Sequence, residues 1–181
     1  MEVETERLRL RMYKLEDADA QVRVMASPEF RTYLRMPQPP TRDMVLVGIG
    51  RILEHWHLRG HGQWALELKD EGRLFGYCGL RYLPDTREVE LLYGADKDYW
   101  GRGLVTEAAR ASLRYGFEEL KLDRVMAVTR PENKGSRRVM EKSGLRYEKE
   151  AHYFGVDCLY YALDRADYRA DDAEPYALLR K

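Results

Sequence analysis

Polar and apolar residues alternate over Arg7–Tyr13 (RLRLRMY), which predicts a strand with Leu8, Leu10 and Met12 on one face. Glu16–Ala26 has helical propensity and stops before Pro28. The prolines of Met36–Thr41 (MPQPPT) exclude a helix or a central strand, so this stretch is a connection. Thr41 can cap a helix running to about Leu58, with Val45, Ile49, Ile52, Leu53 and Trp56 on one face. Three strands follow, Gln63–Leu68, Leu74–Leu83 and Glu88–Ala95, separated by KDEG and LPDTR, both good hairpin loops. With the first strand they form an antiparallel meander. Arg102–Leu120 reads as a long helix with Leu104, Ala108, Ala111 and Tyr115 on one face. Arg124–Thr129 is a short strand. Asn133–Ser143 is a helix capped by Asn133, with Gly144 in the left-handed position beyond its end. Leu145–Tyr153 and Asp157–Leu163 are the last strands. The pattern predicts an α/β domain with a mixed, mostly antiparallel sheet of about seven strands flanked by about four helices. It occupies residues 1–170, and residues 171–181 form a charged, peripheral tail.

Composition narrows the function classes. Of 181 residues, 44% are hydrophobic and 34% charged, which fits a globular domain able to bury a core without disulfides. Basic and acidic residues balance at 31 each, which argues against a nucleic-acid partner. No apolar run is long enough to span a membrane and no secretory leader opens the chain, so a cytoplasmic location is expected. Cys78 and Cys158 lie in apolar runs (FGYCGL, VDCLYY) without metal-ligand spacing and read as buried, reduced thiols. His55, His57 and His61 do not read as a metal site, because residues two apart on a helix diverge.

The segment Tyr93–Ala109 (YGADKDYWGRGLVTEAA) carries the strongest chemical signal. A strand ends, Gly101 and Gly103 follow, and a long helix begins. The first amides of a helix have no intrahelical carbonyl partner and sit at the positive end of its dipole. Glycines let an anion approach that backbone closely, so the amides of Gly101–Val105 are candidates for holding a phosphate or pyrophosphate. Arg102, Arg130, Lys134, Arg137, Arg138 and Lys142 supply positive charge on the flanking segments. A plain strand-to-helix turn beside a solvated basic face is the alternative. A dinucleotide fold is disfavoured, because GRGLVT lacks the third glycine of GxGxxG and the next strand ends in Thr129-Arg130 without an acid.

Four segments in order along the chain add to this reading. ETERLRLRMYKLEDADA, LFGYCGL, EVELLYGADKDYWGRGLVTEAA and RPENKGSRRVMEKSGLRYE resemble segments of the GNAT superfamily of N-acetyltransferases, in its ribosomal-protein N-terminal branch (RimJ/RimL-like), from about Thr5 to Tyr168. The resemblance implies the GNAT fold, acetyl-CoA as cosubstrate, and no metal. It places Trp100, Gly101, Arg102, Gly103, Leu104, Val105 and Thr106 in the coenzyme loop, with Trp100 where the family has Gln or Arg and Val105 where it has Gly or Ala. It places Asn133 and Ser136 near the pantetheine arm and phosphates. It also implies that the strand carrying Leu91, Leu92 and Tyr93 splays from its neighbour, so that pantetheine pairs with that backbone. Leu145 stands where Phe is usual.

Acetyl transfer needs a base to take a proton from a primary ammonium and a donor for the leaving thiolate. Glu90, at the start of that strand, is the expected base; a plain surface carboxylate is its alternative. Ser143 is the expected donor, with Ser136 and Tyr93 as alternatives, because Met140 occupies the position where many relatives carry a Tyr. Asp85, Glu88, Glu90, Asp96 and Asp98 could make an acidic approach for a cationic amine. Trp56, Tyr33 and Met36 fall where the family lines its acceptor groove, or they simply pack the core. The acceptor is a protein N-terminal α-amine or a small-molecule amine, and the chain is a monomer or homodimer. A coenzyme-A-binding sensor without transferase activity is the second reading.

Overall fold

The computed structural model describes every residue except Arg35, Asp172 and Lys181. Its strands are β1 (Glu2–Glu4), β2 (Leu8–Arg11), β3 (Gln63–Leu68), β4 (Arg73–Leu83), β5 (Glu88–Ala95), β6 (Arg124–Thr129), β7 (Arg146–Tyr153), β8 (Val156–Asp164) and β9 (Ala177–Leu179). They form one nine-stranded sheet in the order β7-β8-β6-β5-β4-β3-β2-β1-β9. The helices are α1 (Ala18–Ala26), α2 (Pro28–Leu34), α3 (Arg42–Arg59), α4 (Leu104–Arg114) and α5 (Lys134–Lys142).

The sheet has two more strands than the expected seven, and both are short. β1 pairs with β2, and β9 pairs with β1 at the edge. Three-residue segments are too short for alternation to register, and their pairing comes from tertiary contact. The tail therefore joins the sheet and is not wholly peripheral. Arg110 ties it further, pairing with Glu174 and donating to the Lys142 carbonyl from Nε at 3.1 Å.

Caps and breaks follow local chemistry. Thr41 accepts from the Met44 amide at 3.3 Å to open α3, which ends at Gly60 with φ +68°. Asn133 accepts from the Ser136 amide at 3.0 Å to open α5, and Gly144 follows with φ +96°. The predicted helix over 102–120 is shorter than expected. It starts at Leu104 and passes at Tyr115–Glu119 into a π-helical turn. Gly116 lies in that turn, and a Cβ there would come 2.9 Å from Leu80 Cδ1, so that side chain would have to shift.

The sheet separates two helical layers. Leu91, Ala108, Ala111 and Met140 share a core beneath α4 and α5. Tyr77, Leu92, Val45, Ile49 and Phe30 share another on the side of α1–α3. Every strand pair is antiparallel except β5 with β6, where the single paired position is Glu90 opposite Met126. On its other side β5 stays paired with β4 from Leu83–Glu88 through Gly76–Ala95. Beyond Glu90, then, β5 runs toward the glycine turn without β6. No helix among the described residues is long and apolar enough to cross a membrane.

Candidate active site

The gap between β5 and β6 opens toward the glycine turn. After Ala95 the chain makes a short 3-10 turn, Lys97–Tyr99, capped by Asp96. Trp100 folds back, its indole Nε1 donating to the Ala95 carbonyl at 2.8 Å while the ring stays 45% exposed. Gly101 and Gly103 have φ of +74° and +79°, the left-handed region that side chains rarely enter. A Cβ at Gly101 would meet nothing within 4 Å, so the space over that peptide is open. The first backbone bond of α4 runs from the Glu107 amide to the Gly103 carbonyl at 3.0 Å. The amides of Leu104, Val105 and Thr106 precede it and have no intrahelical acceptor. Leu104 is buried and anchors this turn, whereas Val105 and Thr106 are half-buried.

The turn is braced from the connection between β1 and β2. Glu107 accepts from Thr5 Oγ1 at 2.6 Å, from the Arg7 amide at 2.9 Å and from Arg7 Nε at 2.7 Å. Arg7 also donates to the Arg102 carbonyl at 3.0 Å. The Arg102 side chain is exposed, its guanidinium 5.3 Å from the centre of the Tyr99 ring.

The start of α5 faces the same gap. The Tyr93 hydroxyl donates to the Ser136 carbonyl at 2.9 Å and lies 2.9 Å from Ser136 Oγ. Burial raises the Tyr93 hydroxyl above its ordinary range. Lys134 and Arg138 are exposed on α5, Arg137 donates to the Tyr161 hydroxyl at 3.2 Å, and Arg130 pairs with Glu132 at 3.1 Å.

Side chains alternate along β5, so the expected base and donor face opposite sides of the sheet. Leu91 and Tyr93 point to α4 and α5 and pack in the core that Met140 of α5, 1% exposed, enters from the helix side. Ser143 Oγ is buried there with no hydrogen-bond partner. It lines a cavity of about 900 Å³ that also touches Gly103, Thr106, Arg110 and Tyr176. Glu88, Glu90 and Leu92 point to the other side. Glu88 accepts from the hydroxyls of Tyr153 at 2.6 Å and Tyr160 at 2.7 Å. Glu90 is buried and accepts from Arg81 Nε at 3.0 Å and Nη2 at 2.5 Å. Burial raises the Glu90 carboxyl above the usual range, with the Arg81 charge opposing.

Arg81, the residue that bonds to Glu90, belongs to none of the sequence motifs. The signal was present in the hairpin: a loop over 84–87 sets Leu83 against Glu88 and so Arg81 against Glu90. The structure does not gather all the expected acidic residues. Asp85 lies in that loop, while Asp96 and Asp98 lie beyond the other end of β5. Trp56 is buried against Trp64 and Tyr115 and donates to the Gln63 carbonyl at 3.0 Å, so it packs the core. Tyr33 is 37% exposed, and Met36 is half-buried. His55 and His61 meet edge-on at 5.2 Å and bond to backbone, His61 Nδ1 lying 3.1 Å from the Leu80 carbonyl.

A mixed sheet that parts beside a glycine turn opening a helix is the architecture of an acetyltransferase. Residues 7–146 match the acetyltransferase (GNAT) domain family, and the chain belongs to that family of N-acetyltransferases. It is 27% identical to "Uncharacterized N-acetyltransferase p20" of Bacillus licheniformis over 98% of this chain and 95% of that protein. It is 32% identical over 56% of its length to "Putative ribosomal N-acetyltransferase YdaF" of Bacillus subtilis, covering 59% of that protein. The crystal structure of a GNAT-family acetyltransferase from Bacillus anthracis superposes with a TM-score of 0.79 at 26% identity, covering 92% of this chain and 99% of that one.

Proposed function

We propose that this acetyltransferase binds acetyl-CoA along the gap between β5 and β6 and acetylates a primary amine that approaches from the Glu90 side. The observation that carries the reading is the placement of Glu90. It occupies the last position at which β5 meets β6, at the inner end of a gap whose mouth holds the amides of Gly101–Thr106. Those amides, the α4 dipole and the open space over Gly101 suit a pyrophosphate. The freed edge of Leu91–Tyr93 suits the amide-bearing pantetheine arm, flanked by Asn133 and Ser136.

Acetyl-CoA supplies the activated acyl group, and the chain supplies orientation and proton transfer. A primary ammonium gives its proton to Glu90, and its nitrogen lone pair becomes free to attack. Burial makes Glu90 a stronger base than an ordinary glutamate. For the leaving thiolate, Ser143 lines a cavity that Glu90, Leu91, Tyr93, Asn133 and Ser136 do not line, so the hydrogen bond comes from Ser136 Oγ, beside Tyr93, or from a water. A protein N-terminal α-amine is the preferred acceptor. The named role of YdaF supports this, and the paired Glu88 and Glu90 favour a cationic group.

Thiol release from acetyl-CoA, measured with serine- and alanine-initiated peptides, spermidine, lysine and kanamycin, tests the reading. Release with a peptide supports it. Glu90→Gln should lower kcat at least tenfold and remove the acid limb of the pH–rate profile. An unchanged profile rules Glu90 out. A second reading, a coenzyme-A-binding sensor, is favoured by one observation: Met140, at the position where the family resemblance implies a Tyr, is buried and cannot donate a proton. In that case coenzyme A binds but no amine releases thiol.

A further inference from the structure

Arg81 stands directly across from Glu90 in the β4–β5 register. Both of its donated bonds, from Nε at 3.0 Å and Nη2 at 2.5 Å, go to the same oxygen, Oε2. Among the described residues, Oε1 takes no hydrogen bond. The Glu90 side chain is 5% exposed and that of Arg81 43%, so the pair is closed on the carboxylate side and open on the guanidinium side. The ring centre of Phe154 lies 5.1 Å from the guanidinium carbon. Phe154 sits at the tip of the β7–β8 hairpin with φ +53°, a conformation that a bulky residue rarely adopts.

Other groups near the carboxylate leave the task to Arg81. Glu88 on β5 carries the same charge as Glu90 and is itself held by Tyr153 and Tyr160 from β7 and β8. Tyr77 on β4 and Cys158 on β8 are neutral, and burial raises both above their ordinary values. On α3, His55 is pushed down by burial and stays neutral near pH 7. Arg81 is therefore the cation that bonds to Glu90.

We propose that Arg81 is a positioning residue for the acetyl transfer: it anchors Oε2, leaves Oε1 without a hydrogen bond as the acceptor of the amine proton, and favours the ionised form of the carboxylate. The proton passes from the ammonium to Oε1, giving a carboxylic acid and a free amine lone pair. Arg81 keeps its two bonds to Oε2 throughout, and the proton then returns to water. This rests on Glu90 acting as the base, and the test separates the two claims.

Protein labelled with [13Cδ]glutamate allows the Glu90 carboxyl to be titrated by NMR without any acceptor, its resonance assigned by its loss in Glu90→Gln. Arg81→Gln should raise the titration midpoint by about one pH unit or more, and the acid limb of kcat/KM should move with it. Arg81→Lys keeps the charge but not the two-bond fork. Its midpoint should stay near the native one, while kcat falls severalfold and the KM for acetyl-CoA is unchanged. An unmoved midpoint in Arg81→Gln overturns the proposal. Should that variant not fold, native kcat in Arg81→Lys overturns it instead. If Glu90→Gln turns over amines with the native pH profile, the base assignment itself fails. If Glu90→Gln is impaired and Arg81→Gln titrates as the native protein does, only the role of Arg81 falls.

Discussion

The Tyr93 hydroxyl reaches across the space that β6 vacates and donates to the Ser136 carbonyl at 2.9 Å. This bond joins β5 to the first turn of α5, so the two walls of the gap are tied where their strands are not. Tyr93→Phe keeps the buried ring and removes the tie. It should lower stability by about 1 kcal/mol, the net worth of an ordinary buried hydrogen bond. For a chain of this size that is roughly 2–4 °C in Tm. The KM for acetyl-CoA should rise with little change in kcat, because the walls are loosened while the Glu90 side is untouched. Thermal denaturation and initial-rate kinetics check both parts.

Gly103→Val separates conformational strain from ligand exclusion. With φ at +79°, a side chain costs about 1–2 kcal/mol in this backbone region, and a branched one no less. A Cβ would stand 3.6 Å from Arg7 Nη2, an ordinary contact, so the fold should survive with a lower Tm. The added side chain would instead fill the approach to the α4 amides. Calorimetry should find coenzyme A binding weakened more than tenfold. Native affinity in a folded variant would remove the pyrophosphate reading.

Much of this arrangement is legible in the sequence, for local reasons. β3, β5 and β6 start and end where alternation and loop chemistry place them. The Thr41 and Asn133 caps, the left-handed Gly144 and the glycine turn each depend on a few adjacent residues. β1, α2 and β9 leave no such mark in the sequence, being short segments stabilised by tertiary contacts. The π-helical turn at Tyr115–Glu119 is a departure that the helical periodicity does not encode. The Arg81–Glu90 pair lies between these cases, since hairpin register specifies it. The opposite orientation of Glu90 and Ser143 follows from alternation only once the helical layers are known.

The brace behind the glycine turn joins residues far apart in sequence. Glu107, with a side chain 13% exposed, accepts from Thr5 Oγ1 and from the amide and side chain of Arg7. Glu107→Ala leaves these donors without their carboxylate. Because Arg7 is 43% exposed and regains water, the loss should be moderate, about 2 kcal/mol by urea denaturation. The Arg7 bond to the Arg102 carbonyl depends on the same brace, so coenzyme A affinity should fall in parallel. A stability loss with native affinity would mean that the turn holds its shape without the brace.

Acid should destabilise the protein through two histidines. Burial lowers the His61 pKa below 6.5, against the Leu80 hydrogen bond that raises it, and burial also lowers that of His55. The unfolded chain therefore binds more protons than the folded one in this range. The contribution of these histidines is complete above about pH 6.5 and is lost as pH falls through that value toward their folded pKa values. Glu90 acts with the opposite sign. Its folded pKa is raised above 4.5, so its contribution is present at and below that pH and is lost as pH rises through the folded value. The two effects have opposite signs, and comparing variants isolates them. The Tm of the native protein should drop between pH 7 and 5. It should drop less in a His55→Gln, His61→Gln double variant, and more in Glu90→Gln, where the opposing carboxyl is gone. If the double variant followed the native curve, neutral burial of the two imidazoles would not govern the acid response.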